Sequence, residues 1–424
     1  MTQGLATAPD RSGRHRRRGR AALRLATVGA VLGPGLLAGL SDDDPAGITT
    51  YSVLGAEHGY RLLWVLLLST VALMLFHDLG ARMGVITGQG LVGLVRHRYG
   101  VRVATATLVA LVVANVGTAA AEFAGIAAGG ELLGVDRTVS VPVAAVGVTV
   151  LVLAGSFHRV EHVLLALASV FVAYVAAGIL AHPDWAAAGR GLVRPTMAVS
   201  RPEALLVAAT VGTTLAPWGL SFIQSYAVDK RLTTADLRYE RIDVLVGASL
   251  TGVIGFFVVV ACAATLHAGG VHIESAADAA QALAPVAGRL SGLLFAVGLI
   301  GAAVLAAAIL PLSTAYSVCD LTGSPAALDS SFGEARLFYL TDVVVTVLAA
   351  SLVLLPHVPL VPLLVSTQAL NAVLLVPLLV VLHLLSRDRE TMGEHVVGPA
   401  VARAQLAVLV MVVACVALVL VLAL

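Results

Sequence analysis

Charge is what this sequence has least of. Of its 424 residues only 12% are Asp, Glu, Lys or Arg, while 59% are hydrophobic; ordinary soluble domains carry about 25% charged residues. A soluble fold cannot hide that much apolar surface. Aromatic residues make up 5%, so Ala, Val, Leu and Gly dominate, a composition suited to closely packed transmembrane helices with small residues at their interfaces. The three cysteines, Cys262, Cys319 and Cys415, are odd in number and set in apolar surroundings, which excludes a disulfide framework or a Cys-based metal motif. A Gly-x-Ser-x-Gly elbow, a His-Glu-x-x-His pair and a phosphate-binding Gly-Lys-Ser/Thr are all missing. Neither a membrane enzyme nor a bound cofactor is therefore expected. No nucleic-acid partner is expected either; the net charge of +1 does not bear on that, because in a membrane protein the informative quantity is how Lys and Arg divide between the two sides.

What is present are long apolar runs, such as Leu62 to Met74, Leu245 to Leu266 and Ala404 to Leu424, that approach the roughly 20 residues needed to span a bilayer. Punctuation by charged residues, Gly and Pro predicts spans near 26–57, 60–81, 102–128, 138–156, 160–181, 203–228, 242–267, 287–319, 337–356, 361–385 and 403–424. That is an all-α integral membrane protein of about eleven helices. With the N-terminus in the cytoplasm, 20 of the 26 Lys and Arg fall on the inner side, as the positive-inside rule asks. An odd number of spans then puts the C-terminus on the outer side. The Arg-rich residues 1–25 resemble the start of a signal peptide, but no small-residue cleavage site follows, so they are read as a basic cytoplasmic tail.

The first and sixth spans share a feature. Each runs apolar, meets an interruption and resumes: Ser41 to Gly47 in the first, Thr213 to Trp218 in the sixth. Five spans make up each copy, so a second copy of the same unit would enter the membrane from the opposite side. Paired broken helices in such an inverted repeat mark the central site of a transporter. The expected division is 26–181 for the first repeat, 203–385 for the second and 403–424 for an additional helix.

Proline alone often kinks membrane helices. Asp42-Asp43-Asp44 beside Pro45 changes the reading, because each acid at the bilayer centre costs several kcal/mol and needs a cation, water or both. Proline removes a backbone donor and disfavours helix at the residue before it, so the chain should unwind at Asp44 and free carbonyls near Ser41 and Asp42. A carboxylate beside free carbonyls is a hard, oxygen-rich cation site. Pro217 does the same at Thr213 and Thr214, with a backbone carbonyl of Thr213 or Ala216 the expected ligand and Trp218 expected to shape the cavity wall.

Several segments carry a resemblance. Gly33-Pro34-Gly35 leads into the first span, Asp44-Pro45-Ala46-Gly47 follows, and then Gly59-Tyr60-Arg61-Leu62-Leu63-Trp64; Arg238-Tyr239-Glu240-Arg241-Ile242-Asp243 opens the seventh span. The chain resembles the NRAMP family of divalent metal transporters over nearly its whole length. That family has the inverted-repeat, LeuT-type fold with helices 1 and 6 broken, and carries Asp-Pro-Gly-Asn in the first break. Its usual Met-Pro-His in the sixth helix is Ala216-Pro217-Trp218 here, and Met1, Met74, Met83, Met197, Met392 and Met411 all lie outside both interruptions. The Ala-Pro-Trp signature resembles the NRAMP-related magnesium transporter branch, as do Ala276 to Leu283, Leu310 to Tyr316 and Gln368-Ala369-Leu370-Asn371.

The resemblance implies Mg²⁺ or Mn²⁺ as transported substrate, moved by alternating access through a monomer in the cytoplasmic membrane. Asp44, Asp43, Ser41, Gly47, Thr213, Ala216 and Asn371 are the candidate ligands, and Asp42, Trp218, Glu122 and Gln368 the candidate wall and pathway. Asn371 can equally serve as an interhelical hydrogen-bonding residue. Loss of the soft Met ligand weakens preference for transition metals and enlarges the cavity for a partly hydrated ion. Ala119-Ala120-Ala121-Glu122 lacks the Asp that typical members carry three residues before the Glu, and Trp218 and Ile223 stand at their sixth-helix histidines, so obligatory proton coupling is not expected. Asp78 and Arg82, four apart, are candidates to join an inner gate with the charged segment 229–243. The competing functions are a proton-coupled Mn²⁺/Fe²⁺ symporter of the ordinary NRAMP type, an amino-acid carrier of the same general fold, and a channel. Three acids beside the site disfavour a substrate carboxylate.

Overall fold

Proline and glycine set most of the helix boundaries. The computed structural model describes residues 39, 41–153, 172–326, 328 and 330–423, all helix, turn or irregular chain. The expected basic tail, the opening half of the first span and the join of spans four and five lie outside the described residues. Pro45 opens α1 (Pro45–His58), which ends at Gly59 with φ 58°, a left-handed conformation that a side chain would strain. α2 (Leu63–Thr87) closes on the left-handed Gly88, followed by α3 (Leu91–Tyr99), α4 (Val101–Leu132) and α5 (Arg137–Leu153). Beyond the undescribed stretch come α6 (Val172–Leu180) and α7 (Trp185–Val193). The sixth span is two helices, α8 (Arg201–Thr214) and α9 (Pro217–Asp229), with Leu215 and Ala216 between them.

The second half continues with α10 (Leu237–Cys262), extended by a π turn over Ala263–His267, then α11 (Ser291–Thr322), α12 (Arg336–Val353), α13 (Leu360–Arg387) and α14 (Pro399–Ala423). Eight helical runs among the described residues are long and apolar enough to cross a membrane. Those are the second, third and sixth to eleventh expected spans; the first, fourth and fifth run into undescribed residues. Two short helices, α3 and α7, were not expected. α3 buries Leu91, Val92, Leu94 and Val95 but carries Arg96, His97 and Arg98, which read as loop charge in sequence.

The expected five-plus-five inverted repeat is seen in how helices pair. α4 and α11, third in each set of five, are both 32 residues long, or about 48 Å at 1.5 Å per residue, and pack on each other more extensively than any other two elements. The second members, α2 and α10, also pack together, as do α1 and α8 from the first. Equivalent elements of the two sets pack on one another, in keeping with an inverted repeat.

The periphery faces lipid. Val143 and Val146 on α5 are 67% and 65% exposed, and Val410 on α14 is 60% exposed; contiguous apolar exposure on this scale marks a bilayer or partner surface. Acids are treated oppositely, since Asp42, Asp43, Asp44 and Glu122 are all buried. Two closures cap the interior. At the α1–α2 turn, Arg61 bonds Glu203 of α8 at 2.9 Å. At the other end Tyr316 of α11 donates to Asp229 at 2.6 Å, and Asp78 reaches Arg241 of α10 at 3.5 Å. Asp78 thus meets the charged segment 229–243 that it was expected to join.

Candidate metal-binding site

Both interruptions break where proline dictates. Asp44 and Ala216, each preceding a proline, are extended, with φ/ψ of −74°/169° and −67°/137°. Because Pro217 has no N–H, the Thr213 carbonyl loses its helical donor, and Pro45 does the same to the Ser41 carbonyl. Asp44 caps α1 by accepting from the Gly47 N–H.

Gly47 is the centre of the arrangement. A Cβ placed there would lie 2.8 Å from the Asp42 carbonyl oxygen, 3.2 Å from Asp44 Oδ1 and 3.2 Å from Thr213 Oγ1. Three hard oxygens from both interruptions thus converge on the space that a side chain at this position would fill. Thr213 Oγ1 has no hydrogen-bond partner among the described residues, and neither do the carboxylate oxygens of Asp42 and Asp43. Gly47 donates its N–H to Asp44 and, having no side chain, leaves the opening on which these oxygens converge. Ser41 is buried in the last helical turn before the break.

α4 builds one wall with residues spaced along a single face. Thr118 accepts from Asn371 Nδ2 at 2.8 Å, the Glu122 carboxyl faces Asp44, and Gly125 leaves room for the Pro45 ring. α13 builds another: Asn371 also donates to Gln368 Oε1 at 2.9 Å, and Gly212 sits directly on the Gln368 carbonyl. Asn371 therefore spends its donors on neighbours, while its Oδ1 has no partner among the described residues. Trp218 is buried in the first turn of α9, packed on Phe222 at 6.4 Å, with its carbonyl accepting from Ser313 at 3.1 Å. Tyr51 of α1 bonds Thr214 at 2.8 Å and ties the resumed first helix to the end of α8.

Among the described residues no three His, Cys, Asp or Glu side chains gather as a metal cluster. The three aspartates diverge, Asp44 toward Gly47 and Asp42 toward Gly219, so carboxylate, carbonyl and hydroxyl oxygens share the work. Such mixed oxygen sets suit hard cations that keep some of their water. Two side chains beside the interruptions were not read from sequence, the Thr213 hydroxyl at the Gly47 opening and His77 of α2, whose Nε2 would stand 3.1 Å from a Cβ on Gly219. His77 sits near the end of its predicted span, and only the spacing His77, Gly80, Gly84 hinted at a helix-facing stripe.

Broken helices paired across an inverted repeat, around buried acids, define a LeuT-type secondary-transporter fold. The Natural resistance-associated macrophage protein-like (Nramp) family profile matches residues 35–422, and the chain belongs to that family. It is 30% identical over 280 residues to the divalent metal cation transporter MntH of Burkholderia ambifaria, covering 63% of each chain. Against the Granulibacter bethesdensis transporter of the same name it is 26% identical over 378 residues, covering 86% of this chain and 82% of that one. The alignments to the first of these relatives span somewhat under two thirds of their length. In structure it resembles a mutant of the Eremococcus coleocola manganese transporter, with a TM-score of 0.79 at 20% identity over 94% of this chain and 86% of that one. Mhp1, a nucleobase-cation-symport-1 family transporter, shares the fold at a TM-score of 0.56 and 15% identity, covering 92% and 91%.

Proposed function

We propose that this chain carries divalent metal cations across the cytoplasmic membrane by alternating access, binding them between the two interruptions. The observation that carries this reading is the convergence of the Asp42 carbonyl, Asp44 Oδ1 and Thr213 Oγ1 on the open position at Gly47. A buried carboxylate facing neutral oxygens favours a cation and repels a substrate carboxylate. Relatives named divalent metal cation transporter and a structural neighbour named manganese transporter support the same class.

Within that class, Mg²⁺ and Mn²⁺ are the proposed substrates. Neither interruption contains a methionine, and the candidate ligand set is oxygen only, which lowers discrimination against hard ions. The gap at Gly47, where the family pattern has Asn, leaves room for an ion with part of its hydration shell. Asp44 and Thr213 are the principal ligands; Asp43, Ser41, Gly47, Ala216 and Asn371 complete the candidate set, with Asp42, Trp218, Glu122 and Gln368 as wall and pathway. Repeats at 26–181 and 203–385, an additional helix at 403–424, an inward N-terminus and a working monomer complete the proposal.

Proteoliposomes holding the full chain and a lumenal pH indicator test it. Uptake of Mg²⁺ or Mn²⁺ without a stoichiometric pH change is expected. Proton movement in fixed ratio to metal would assign Glu122, opposite Asp44, a coupling role and overturn the uncoupled reading; no metal uptake at all would overturn the function.

A further inference from the structure

His77 is 1% exposed, and neither ring nitrogen has a hydrogen-bond partner among the described residues. A buried polar group left unpaired costs about 1–3 kcal/mol, so its surroundings bear examination. α2 presents His77, Gly80 and Gly84 on one face, spaced as successive helical turns. Across from them, the missing side chain of Gly80 meets Ile223 and the Leu220 carbonyl of α9, and that of Gly84 meets the Gln224 carbonyl. The two helices touch almost backbone to backbone, which holds the imidazole against the first turn of α9 at Gly219. A Cβ on Gly219 would have His77 Nε2 at 3.1 Å and Asp42 Oδ1 at 3.7 Å.

An imidazole nitrogen from α2 and a carboxylate oxygen from the first interruption thus confront one small gap, which a glycine keeps open, and neither bonds the other. Asp42 belongs to two places at once, since its carbonyl oxygen faces the Gly47 opening and its carboxylate faces Gly219. Resting on the metal-transport reading above, we propose that His77 and Asp42 form a second cation station beside the Gly47 site, one that takes first-row transition ions in preference to Mg²⁺. The chemical ground is ligand type: neutral imidazole is a good donor to transition metals, whereas Mg²⁺ takes oxygen. The station supplies a discrimination that the oxygen-only site, lacking a methionine, does not provide.

The experiment pairs a binding signature with a transport ratio on the full-length protein. Mn²⁺ bound to the detergent-solubilised chain should show ¹⁴N coupling from a ligating imidazole by pulsed electron paramagnetic resonance, and His77→Gln should abolish it. In proteoliposomes His77→Gln should cut Mn²⁺ uptake relative to Mg²⁺ by about tenfold or more, the scale on which even an outer-shell partner acts, while Mg²⁺ uptake stays at the wild-type rate. No nitrogen coupling in the wild-type protein overturns the proposal, and so does an unchanged Mn²⁺/Mg²⁺ ratio in a folded His77→Gln. His77→Ala, checked by size-exclusion elution, serves if Gln itself ligates. If the wild type moves neither metal, the transport reading fails, and the nitrogen signal still decides whether His77 binds Mn²⁺.

Discussion

The two interruptions break alike and are built from opposite chemistry. In each, a proline frees a carbonyl one turn upstream and leaves the preceding residue extended. The first brings three aspartates; the second, Thr213 to Ala216, brings no charge at all. Asp44 caps its helix with its own carboxylate, whereas Ala216 caps α9 without a side chain. One side of the site supplies charge and the other supplies shape, so changes in the first should switch binding off and changes in the second should retune it.

The largest expected effect follows from that contrast. Asp44→Asn keeps an acceptor for the Gly47 N–H but removes the charge, and should lower metal uptake in proteoliposomes by at least about 100-fold, or roughly 2.7 kcal/mol. Thr213→Val removes one neutral oxygen and should cost about fivefold, near the 1 kcal/mol typical of a single hydrogen-bonding group. Equal losses in the two variants would break the comparison. Gly47→Ala comes next, since its methyl would occupy the space where the three oxygens converge; overpacking of about 1–3 kcal/mol should show as weakened metal binding by calorimetry with helix content unchanged.

Ala216→Met sharpens the contrast from the other side. A thioether added beside Pro217 should raise Cd²⁺ affinity by about tenfold while leaving Asp44 indispensable; a calorimetric titration with Cd²⁺ and Mg²⁺ reads both. The smallest effect concerns how the far ends of the resumed helices are held. α9 ends in the bond between Tyr316 and Asp229, while the end of α1 meets a titratable pair, His272 with Glu57 at 2.7 Å. That hydrogen bond raises the His272 pKa above its ordinary value. The stabilisation is therefore complete below the unfolded imidazole pKa, about 6.5, and is lost as pH rises through the higher folded value. Glu57→Gln should lower Tm slightly at pH 5.5 and not at pH 8.5, in a thermal-shift series.

Much of the site was legible because its cause is local. Proline acts on the residues immediately around it, so the breaks at Asp44-Pro45 and Ala216-Pro217 could be placed to within a residue or two, and an acidic triplet in an apolar run announces itself. What sequence could not give is which faces meet. Glu122 read as an intramembrane acid of open role until α4 set Thr118, Glu122 and Gly125 against Asn371, Asp44 and Pro45. His77 was invisible because its meaning depends on Gly80 and Gly84 drawing α2 onto α9. α3 and α7 were missed since nine-residue helices at the membrane edge carry too few periodic positions to separate from charged loops.

Equilibrium Mn²⁺ binding to the solubilised wild type and Asp44→Asn, followed by the loss of the free-ion electron paramagnetic resonance signal, tests the oxygen site most directly. The wild type should deplete free Mn²⁺ saturably, with affinity at least about 100-fold above Asp44→Asn, a difference of roughly 2.7 kcal/mol; equal depletion by the two proteins would contradict a cation site centred on Asp44 and Gly47.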